Sequence, residues 1–240
     1  MKIIFATGNM DKLREIREIF EGSGFEIISM KEAGITADIV EDGKTFAENS
    51  VIKARAVWEA YKENICENTA CPTTDCDRNR VVVMADDSGL EIDALGGAPG
   101  VLSARFMGEH TDYHIKCAEL IRQLEGVPDE RRSARFRDVI SAVLPDGEVL
   151  TADAAMEGRI GYEYVGEHGF GYDPIFFLPE YGMTSAQISP EEKNAISHRG
   201  KALRAMKKML EEKGFSSEAP VLPEDGGSSE GDADRLQVIG

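Results

Sequence analysis

The sequence predicts an α/β fold in which helices flank a central sheet. Segments typical of strands and segments typical of helices alternate along the chain, which favours this fold class. The run 81–85, Val-Val-Val-Met-Ala, is entirely apolar, as expected for a strand covered on both faces. The chain has 240 residues, of which 42% are apolar, which suits one sizeable domain or two lobes that share a core.

Each element follows from apolar spacing and from the residues that end it. Apolar residues at helical spacing predict helices, and short apolar runs that end at glycine or asparagine predict strands. Two helix starts carry capping residues: Thr45, with Glu48 in a capping-box pattern, and Ser197. The predicted elements are strands at 2–6, 24–30, 81–85 and 134–144, and helices from residue 11, from residue 45, over about 112–124 and from residue 197. Between residues 86 and 89 the chain is expected to turn.

Two segments stand outside this pattern. Residues 64–80 form a polar insertion with Cys66, Cys71 and Cys76, for which no fourth zinc ligand is evident, so free thiols are favoured over a zinc site or a disulfide. From residue 216 onward six acids face one arginine, which predicts a solvated, disordered tail. We therefore expect a catalytic domain over 1–214 and an acidic tail over 215–240.

Charge and hydropathy exclude several classes of partner. The formal net charge of −17 argues against binding to nucleic-acid polymers or anionic membranes, although local cations can still bind a triphosphate. No apolar run approaches the ~20 residues that span a bilayer. The N-terminal apolar segment ends at Gly8, too early for a signal peptide, so a cytoplasmic location is expected.

The turn between the first strand and the first helix is a candidate phosphate site. Thr7-Gly8-Asn9-Met10-Asp11-Lys12 combines the amides of a helix N-terminus with an ammonium group, and both attract phosphate oxygens. The Walker A pattern is absent. An ordinary strand-turn-helix with a surface lysine explains the same residues, so this motif is weak alone.

Two adjacent acids follow the most apolar strand. Asp86 and Asp87 repel one another unless a cation neutralises them, and hard oxygen ligands of this kind suit Mg²⁺. An Asx-turn explains one aspartate but not two. Lys53 lies five residues after Glu48 on the predicted helix, so a plain surface pair between them stays open.

Two later motifs could recognise a nucleotide base. Phe170 stands between glycines in Gly169-Phe170-Gly171-Tyr172-Asp173-Pro174, so its ring could stack on a base; a tight turn anchored in the core is the alternative. Lys193, His198 and Arg199 place polar donors at a helix start, which an exposed helix cap also explains.

Together these segments resemble the inosine triphosphate pyrophosphatase family, also called Ham1-like. The resemblance runs from about Ile3 to Leu210, and six modest motifs in the right order make it specific. The motifs are Ala6-Thr7-Gly8-Asn9 with Lys12, Thr45-Phe46 with Glu48-Asn49 and Lys53-Ala54, Asp86-Asp87-Ser88-Gly89-Leu90, Pro99-Gly100 with Ser103-Ala104-Arg105, the 169–174 segment, and Ile196-Ser197-His198-Arg199-Gly200.

The resemblance implies a fold, an activity and a set of roles. It implies an elongated mixed sheet with two lobes, a nucleotide cleft between them, a homodimer, and Mg²⁺-dependent hydrolysis of ITP, dITP and XTP to monophosphate and pyrophosphate. The resemblance implies that Asp87 is the catalytic proton acceptor and that Lys12 and Lys53 assist it. It also implies that Glu41 and Asp87 bind Mg²⁺, with Asp86 beside them. Substrate contacts fall to Thr7, Gly8, Asn9, Met10, Asp11, Lys12, Ser88, Phe170, Gly171, Tyr172, Asp173, Lys193, His198 and Arg199.

The residues are consistent with that chemistry, and they leave alternatives. Donors near Ser197-His198-Arg199 suit the 6-keto acceptor of hypoxanthine and xanthine and would stay unpaired against adenine. The sequence does not explain how GTP is rejected. Gln187 departs from the family, which often has glutamate there. A haloacid-dehalogenase-type phosphatase, a Maf-like pyrophosphatase acting on pyrimidine nucleotides and a nucleotide sensor without catalysis remain as competing interpretations.

Overall fold

The computed structural model describes residues 1–68 and 81–215. The side chain of Cys66, the rest of the cysteine loop and the acidic tail from residue 216 lie outside the described residues. What the sequence indicates for them, and for the domain boundaries, therefore stays a prediction. In the described part the strands are β1 (Lys2–Phe5), β2 (Glu26–Ser29), β3 (Val81–Ile92), β4 (Ser133–Val143), β5 (Val149–Ile160), β6 (Phe176–Leu178) and β7 (Met183–Thr184). The helices are α1 (Met10–Phe20), α2 (Phe46–Asn68), α3 (Tyr113–Gln123), α4 (Pro190–Ile196) and α5 (His198–Glu212).

The seven strands form one mixed sheet in the order β2-β1-β3-β4-β5-β6-β7. β1 is parallel to both β2 and β3, and the remaining pairs are antiparallel. The α/β class predicted from the sequence is confirmed. Strand β5, the short strands β6 and β7 and helix α4 were not predicted, because their sequences show neither long apolar runs nor clear helical spacing.

The prediction of a turn at residues 86–89 is wrong. β3 continues through Asp86, Asp87 and Ser88 to Ile92, because β4 pairs with it in antiparallel register along this whole stretch. Gly89 is an interior strand residue, and a Cβ there would collide with the loop at residues 100–103 and with the ring of Phe46. The glycine therefore permits close packing instead of a change of direction.

Asp86 and Asp87 nevertheless lie beside the carboxyl end of a strand, the neighbouring strand β1. β1 pairs with β3 from Lys2↔Val81 to Phe5↔Met84 and then stops. Beyond Met84, β3 has lost its parallel neighbour, so Asp86 and Asp87 face the space into which the β1–α1 turn leads. Ligands commonly collect at the carboxyl ends of parallel strands for this reason.

Three buried clusters pack against the sheet. One joins α1 and α5 to one face of β1–β5, and a second joins α2 to the other face. The third surrounds the far halves of β3, β4 and β5 with α3 and β6. The long strands β3–β5 therefore run from one lobe into the other, and the two-lobed arrangement expected from the sequence is confirmed.

Capping residues set the helix starts that border the cleft. Ser197 caps α5 by accepting a hydrogen bond from the amide of Gly200 at 3.0 Å, as predicted. Thr45 accepts from the amide of Glu48 at 3.1 Å, but the Glu48 carboxylate bonds to the amide of Lys44 at 2.6 Å, so the predicted capping box closes one residue early. Within the described ranges, no helix is long and apolar enough to cross a membrane.

Candidate active site

A cleft of about 690 Å³ lies between the two lobes and collects the residues singled out in the sequence. Its walls are the β1–α1 turn, the centre of β3, the 169–174 turn and the starts of α4 and α5. Of the predicted site residues it is lined by Thr7, Gly8, Asn9, Asp11, Lys12, Glu41, Lys53, Asp86, Asp87, Ser88, Phe170, Gly171, Tyr172, Asp173, Lys193, His198 and Arg199. Met10 is not among the lining residues: its side chain is 69% exposed at the first turn of α1.

The β1–α1 turn is organised by Asn9. Its side chain accepts hydrogen bonds from the amides of Asp11 at 2.9 Å and Lys12 at 3.2 Å, and its own amide bonds to the hydroxyl of Thr7 at 3.1 Å. Within the described residues, the amides of Gly8 and Met10 have no protein acceptor. These two N–H groups are therefore available to a ligand oxygen at the start of α1.

Asp86 is held as an anion by two cations. Its carboxylate lies 2.8 Å from the ammonium of Lys12 and 3.4 Å from Nε of Arg199. Burial opposes ionisation, but the charges of Lys12, Arg199 and Lys53 outweigh it and lower the pKa of Asp86. Asp86 thus fixes the Lys12 ammonium beside the β1–α1 turn.

Asp87 has weaker partners. The amide of Asn49 donates to it at 3.0 Å, and the ammonium of Lys53 lies 3.6 Å away. Burial is the largest influence and raises the pKa of Asp87, which Lys53 and Asn49 only partly offset. Lys53 also contacts Glu41 at 3.0 Å; burial disfavours its charge, but Asp86, Asp87 and Glu41 outweigh that and raise its pKa. Lys53 therefore stays charged and bridges two acids.

Glu41 and Asp87 fit a magnesium ion of the kind that binds with substrate. Both contact the same ammonium of Lys53, so their oxygens face one small space. Mg²⁺ in nucleotide sites commonly takes one or two carboxylates and completes its shell with waters and phosphate oxygens. The described residues show no cluster of three or more acids, histidines or cysteines, so protein ligands alone would not complete the coordination.

At the far end of the cleft, Asp173 organises the glycine-flanked turn. Its carboxylate accepts from the amide of Phe170 at 2.9 Å, from Lys193 at 2.6 Å and from the hydroxyl of Ser185 at 2.8 Å. Gly169 has φ +75°, and a Cβ there would collide with Asp173, so this position requires glycine. The Phe170 ring is thereby held with the ammonium of Lys193 5.1 Å from its centroid.

Arg199 and His198 form the floor beside that turn. The Arg199 guanidinium donates to Glu15 at 2.5 Å and to the hydroxyl of Ser88 at 3.2 Å, in addition to Asp86. The His198 ring stacks on Phe136 at 5.0 Å. Burial and then the nearby cations lower the pKa of His198 well below its ordinary value, so the ring is a neutral donor–acceptor.

Sequence reasoning missed three residues of this site. Glu15 contacts Arg199 and also Lys193, at 3.8 Å, and its position three residues after Lys12 on α1 could have indicated a shared face. Asn49 was part of a motif but had no role. Asp138 is the one acid in the predicted strand 134–144, which was a usable signal. Gln187, the departure from the family pattern, bonds to Thr184 and does not line the cleft.

Fold and cleft together have the features of a nucleotide-binding protein. A mixed sheet shared by two lobes carries carboxylates and buried ammonium groups at one end of a cleft and aromatic rings at the other. Acids, cations and a stacking surface are the groups that a nucleotide phosphate and its base require.

Comparison with known proteins identifies the family. Residues 3–209 match the Ham1 family, and the chain belongs to it. The dITP/XTP pyrophosphatase of Desulforamulus reducens is 44% identical over 210 residues, which cover 88% of this chain and 96% of that relative. The dITP/XTP pyrophosphatase of Bacillus subtilis is 41% identical over 208 residues, 87% of this chain and 96% of its own. A solved HAM1 protein from Coxiella burnetii superposes with a TM-score of 0.73 at 36% identity, covering 88% and 99% of the two chains.

Proposed function

We propose that this chain hydrolyses the non-standard purine nucleoside triphosphates ITP, dITP and XTP to monophosphate and pyrophosphate, with Mg²⁺ as cofactor, and so removes them from the nucleotide pool. The observation that carries the proposal is the paired arrangement of Asp86 with Lys12 and of Asp87 with Lys53 in one cleft. Relatives more than 40% identical over most of the chain are named dITP/XTP pyrophosphatases, which supports the substrate class.

The triphosphate binds at the β1–α1 turn in this proposal. The amides of Gly8 and Met10 point the positive end of α1 at the phosphates, so Met10 contributes through its backbone and not its side chain. Lys12 and Lys53 add two full charges, which offset the negative charge that develops on the leaving pyrophosphate.

The hydrolytic step uses Asp87 as proton acceptor. The oxygen of a water molecule bonds to the α-phosphorus, and the bond from that phosphorus to the α–β bridging oxygen breaks, so pyrophosphate leaves. The water proton passes to the Asp87 carboxylate. Burial raises the pKa of Asp87, which makes its carboxylate a stronger base than an exposed aspartate. Mg²⁺, held by Glu41 and Asp87, would polarise the phosphate oxygens and offset their charge.

The base lies at the other end of the cleft. Phe170 offers a ring face for stacking, and the donors around His198 and Arg199 suit a 6-keto oxygen. Adenine presents an amino group at that position, so protein donors facing it would stay buried without a partner, which disfavours ATP by roughly 1–3 kcal/mol per lost hydrogen bond.

A homodimer and a cytoplasmic location complete the proposal. Both rest on the family resemblance and on the sequence, and the dimer can be tested directly. Size-exclusion chromatography with light scattering at micromolar concentration is expected to give the mass of two chains; the mass of one chain would contradict it.

A product assay tests the function. Purified protein is incubated with ITP, XTP, GTP or ATP, with Mg²⁺ or with EDTA, and pyrophosphate and orthophosphate are measured separately. We expect Mg²⁺-dependent pyrophosphate from ITP and XTP and little from GTP or ATP. Orthophosphate instead would indicate a phosphatase, no product would favour a nucleotide sensor, and equal turnover of all four would overturn the base-recognition argument.

A further inference from the structure

Asp138 is a buried acid beneath the cleft that the proposed mechanism does not use. It lies in the centre of β4, opposite Ser88 of β3 in antiparallel register, and its side chain is 0% exposed. Phe136, two residues earlier and on the same face of the strand, lines the cleft, whereas Arg137 faces a different pocket on the other side. Asp138 therefore supports the cleft floor from below.

This acid lacks the partners that a buried carboxylate normally has. Neither of its oxygens has a hydrogen-bond partner within the described part of the chain. Its nearest opposite charge is Nε of Arg199, at 3.9 Å. Burying a carboxylate under such conditions destabilises a fold, whereas an apolar side chain of similar size would pack there without that penalty. A residue that lowers stability and lies against a site indicates a role in that site.

The role follows from what surrounds Arg199. Its terminal nitrogens are bound by Glu15 and Ser88, but Nε is left to two acids, Asp86 at 3.4 Å and Asp138 at 3.9 Å. Asp86 is also needed by Lys12, at 2.8 Å. Burial, and then the like charge of Asp86, raise the pKa of Asp138 to about 7, so the acid adds negative charge beside Nε in its ionised form. With this second acid at the guanidinium, Asp86 is not the sole acid beside Nε and can also pair with Lys12.

We propose that Asp138 is a positioning residue: its carboxylate holds the Arg199 guanidinium at the floor of the cleft and thereby sets the affinity for 6-oxopurine nucleotides. The proposal rests on the proposed function, since Arg199 is placed there in base recognition. Loss of the charge lets Arg199 move toward Asp86, which weakens nucleotide binding more than it slows the chemical step.

The test is Asp138→Asn, which keeps the shape and removes the charge. Its matched control is Asp153→Asn, which removes an exposed acid from the neighbouring strand, where it pairs with Arg137 at 2.6 Å on the opposite face. For Asp138→Asn we expect a thermal midpoint equal to or above that of the wild type, KM for ITP raised about tenfold and kcat within about twofold. Asp153→Asn is expected to keep both kinetic constants.

A second variant separates positioning from general packing. If Asp138 acts through Arg199, then adding Asp138→Asn to an Arg199→Lys enzyme changes KM by less than about twofold, because the group that it positions is already altered. A further tenfold rise would overturn that route, and wild-type kinetics for Asp138→Asn alone would overturn the proposal. If the wild type releases no pyrophosphate from ITP, the proposed function fails first. Calorimetric binding of ITP then decides: weaker binding by Asp138→Asn supports positioning, whereas equal binding, or no binding by the wild type, contradicts it.

Discussion

Asp86 and Asp87 are neighbours in β3, but their side chains lie on opposite faces of the strand and have different electrostatic surroundings. On the face packed by α1 and α5, Asp86 lies within 3.4 Å of two cations, Lys12 and Arg199. On the face packed by α2, Asp87 has one ammonium at 3.6 Å and one amide. Burial disfavours both charges, yet the pKa is lowered at Asp86 and raised at Asp87. Neighbouring charge, and not depth, separates a fixed anion from a group able to take a proton.

The largest effect is expected from Asp87→Asn, which removes the proposed proton acceptor. We expect kcat for ITP to fall about 10³-fold, because general base catalysis supplies roughly 10²–10⁴ in rate. The thermal midpoint is expected to stay within a few degrees, since the amide can keep the bond to Asn49. Asp93→Asn, an exposed acid just beyond the end of β3, serves as control. A loss of less than tenfold would remove Asp87 from the chemistry.

Lys12→Ala tests the opposite face. Without its ammonium, the leaving pyrophosphate loses one compensating charge, and kcat/KM for ITP is expected to fall by roughly 10²-fold. Arg14 lies two residues later on α1, is exposed and, among the described residues, pairs only with Asp11, so Arg14→Ala is expected to leave kcat/KM unchanged. An unchanged rate for Lys12→Ala would show that Asp86 fixes a cation with no part in the reaction.

The smallest effect is a pH dependence of stability from His198. Its folded-state pKa is lowered by burial and by nearby cations, so the unfolded chain takes up a proton below about pH 6.5 while the folded chain does not. The free energy of unfolding is therefore expected to fall as pH decreases, by about 1.4 kcal/mol per pH unit from this group. Urea unfolding between pH 6.5 and 5 measures it: His198→Gln should flatten the slope and exposed His168→Gln should not. Parallel slopes for wild type and His198→Gln would contradict the assignment.

Much of the fold and of the site was accessible from local sequence. Two helix starts were predictable because Thr45 and Ser197 cap through short-range bonds from amides three residues ahead. The cleft residues were accessible because six motifs occur in a recognisable order. Their roles as ligands, bases or phosphate contacts remain predictions.

What escaped prediction depends on contacts between distant segments. Asp86–Gly89 looks like a turn because it is polar and ends in glycine, but pairing with β4 keeps it extended. Likewise, a lone acid in the predicted strand singled out Asp138, but its place beneath Arg199 follows only when β4 is paired with β3. Neither relation has a signature within a window of ten residues, so spacing alone could not supply it.

The three long strands also govern how the protein can move. Because β3, β4 and β5 contribute side chains to the core of each lobe, three continuous strands join the lobes at the cleft. Closing the cleft over a bound molecule requires β3, β4 and β5 to bend together, which distorts many backbone hydrogen bonds at once. The distance between Lys12 and Phe170, at opposite ends of the cleft, is thus expected to change little when a ligand enters. We therefore expect the cleft to favour ligands long enough to reach from Lys12 to Phe170.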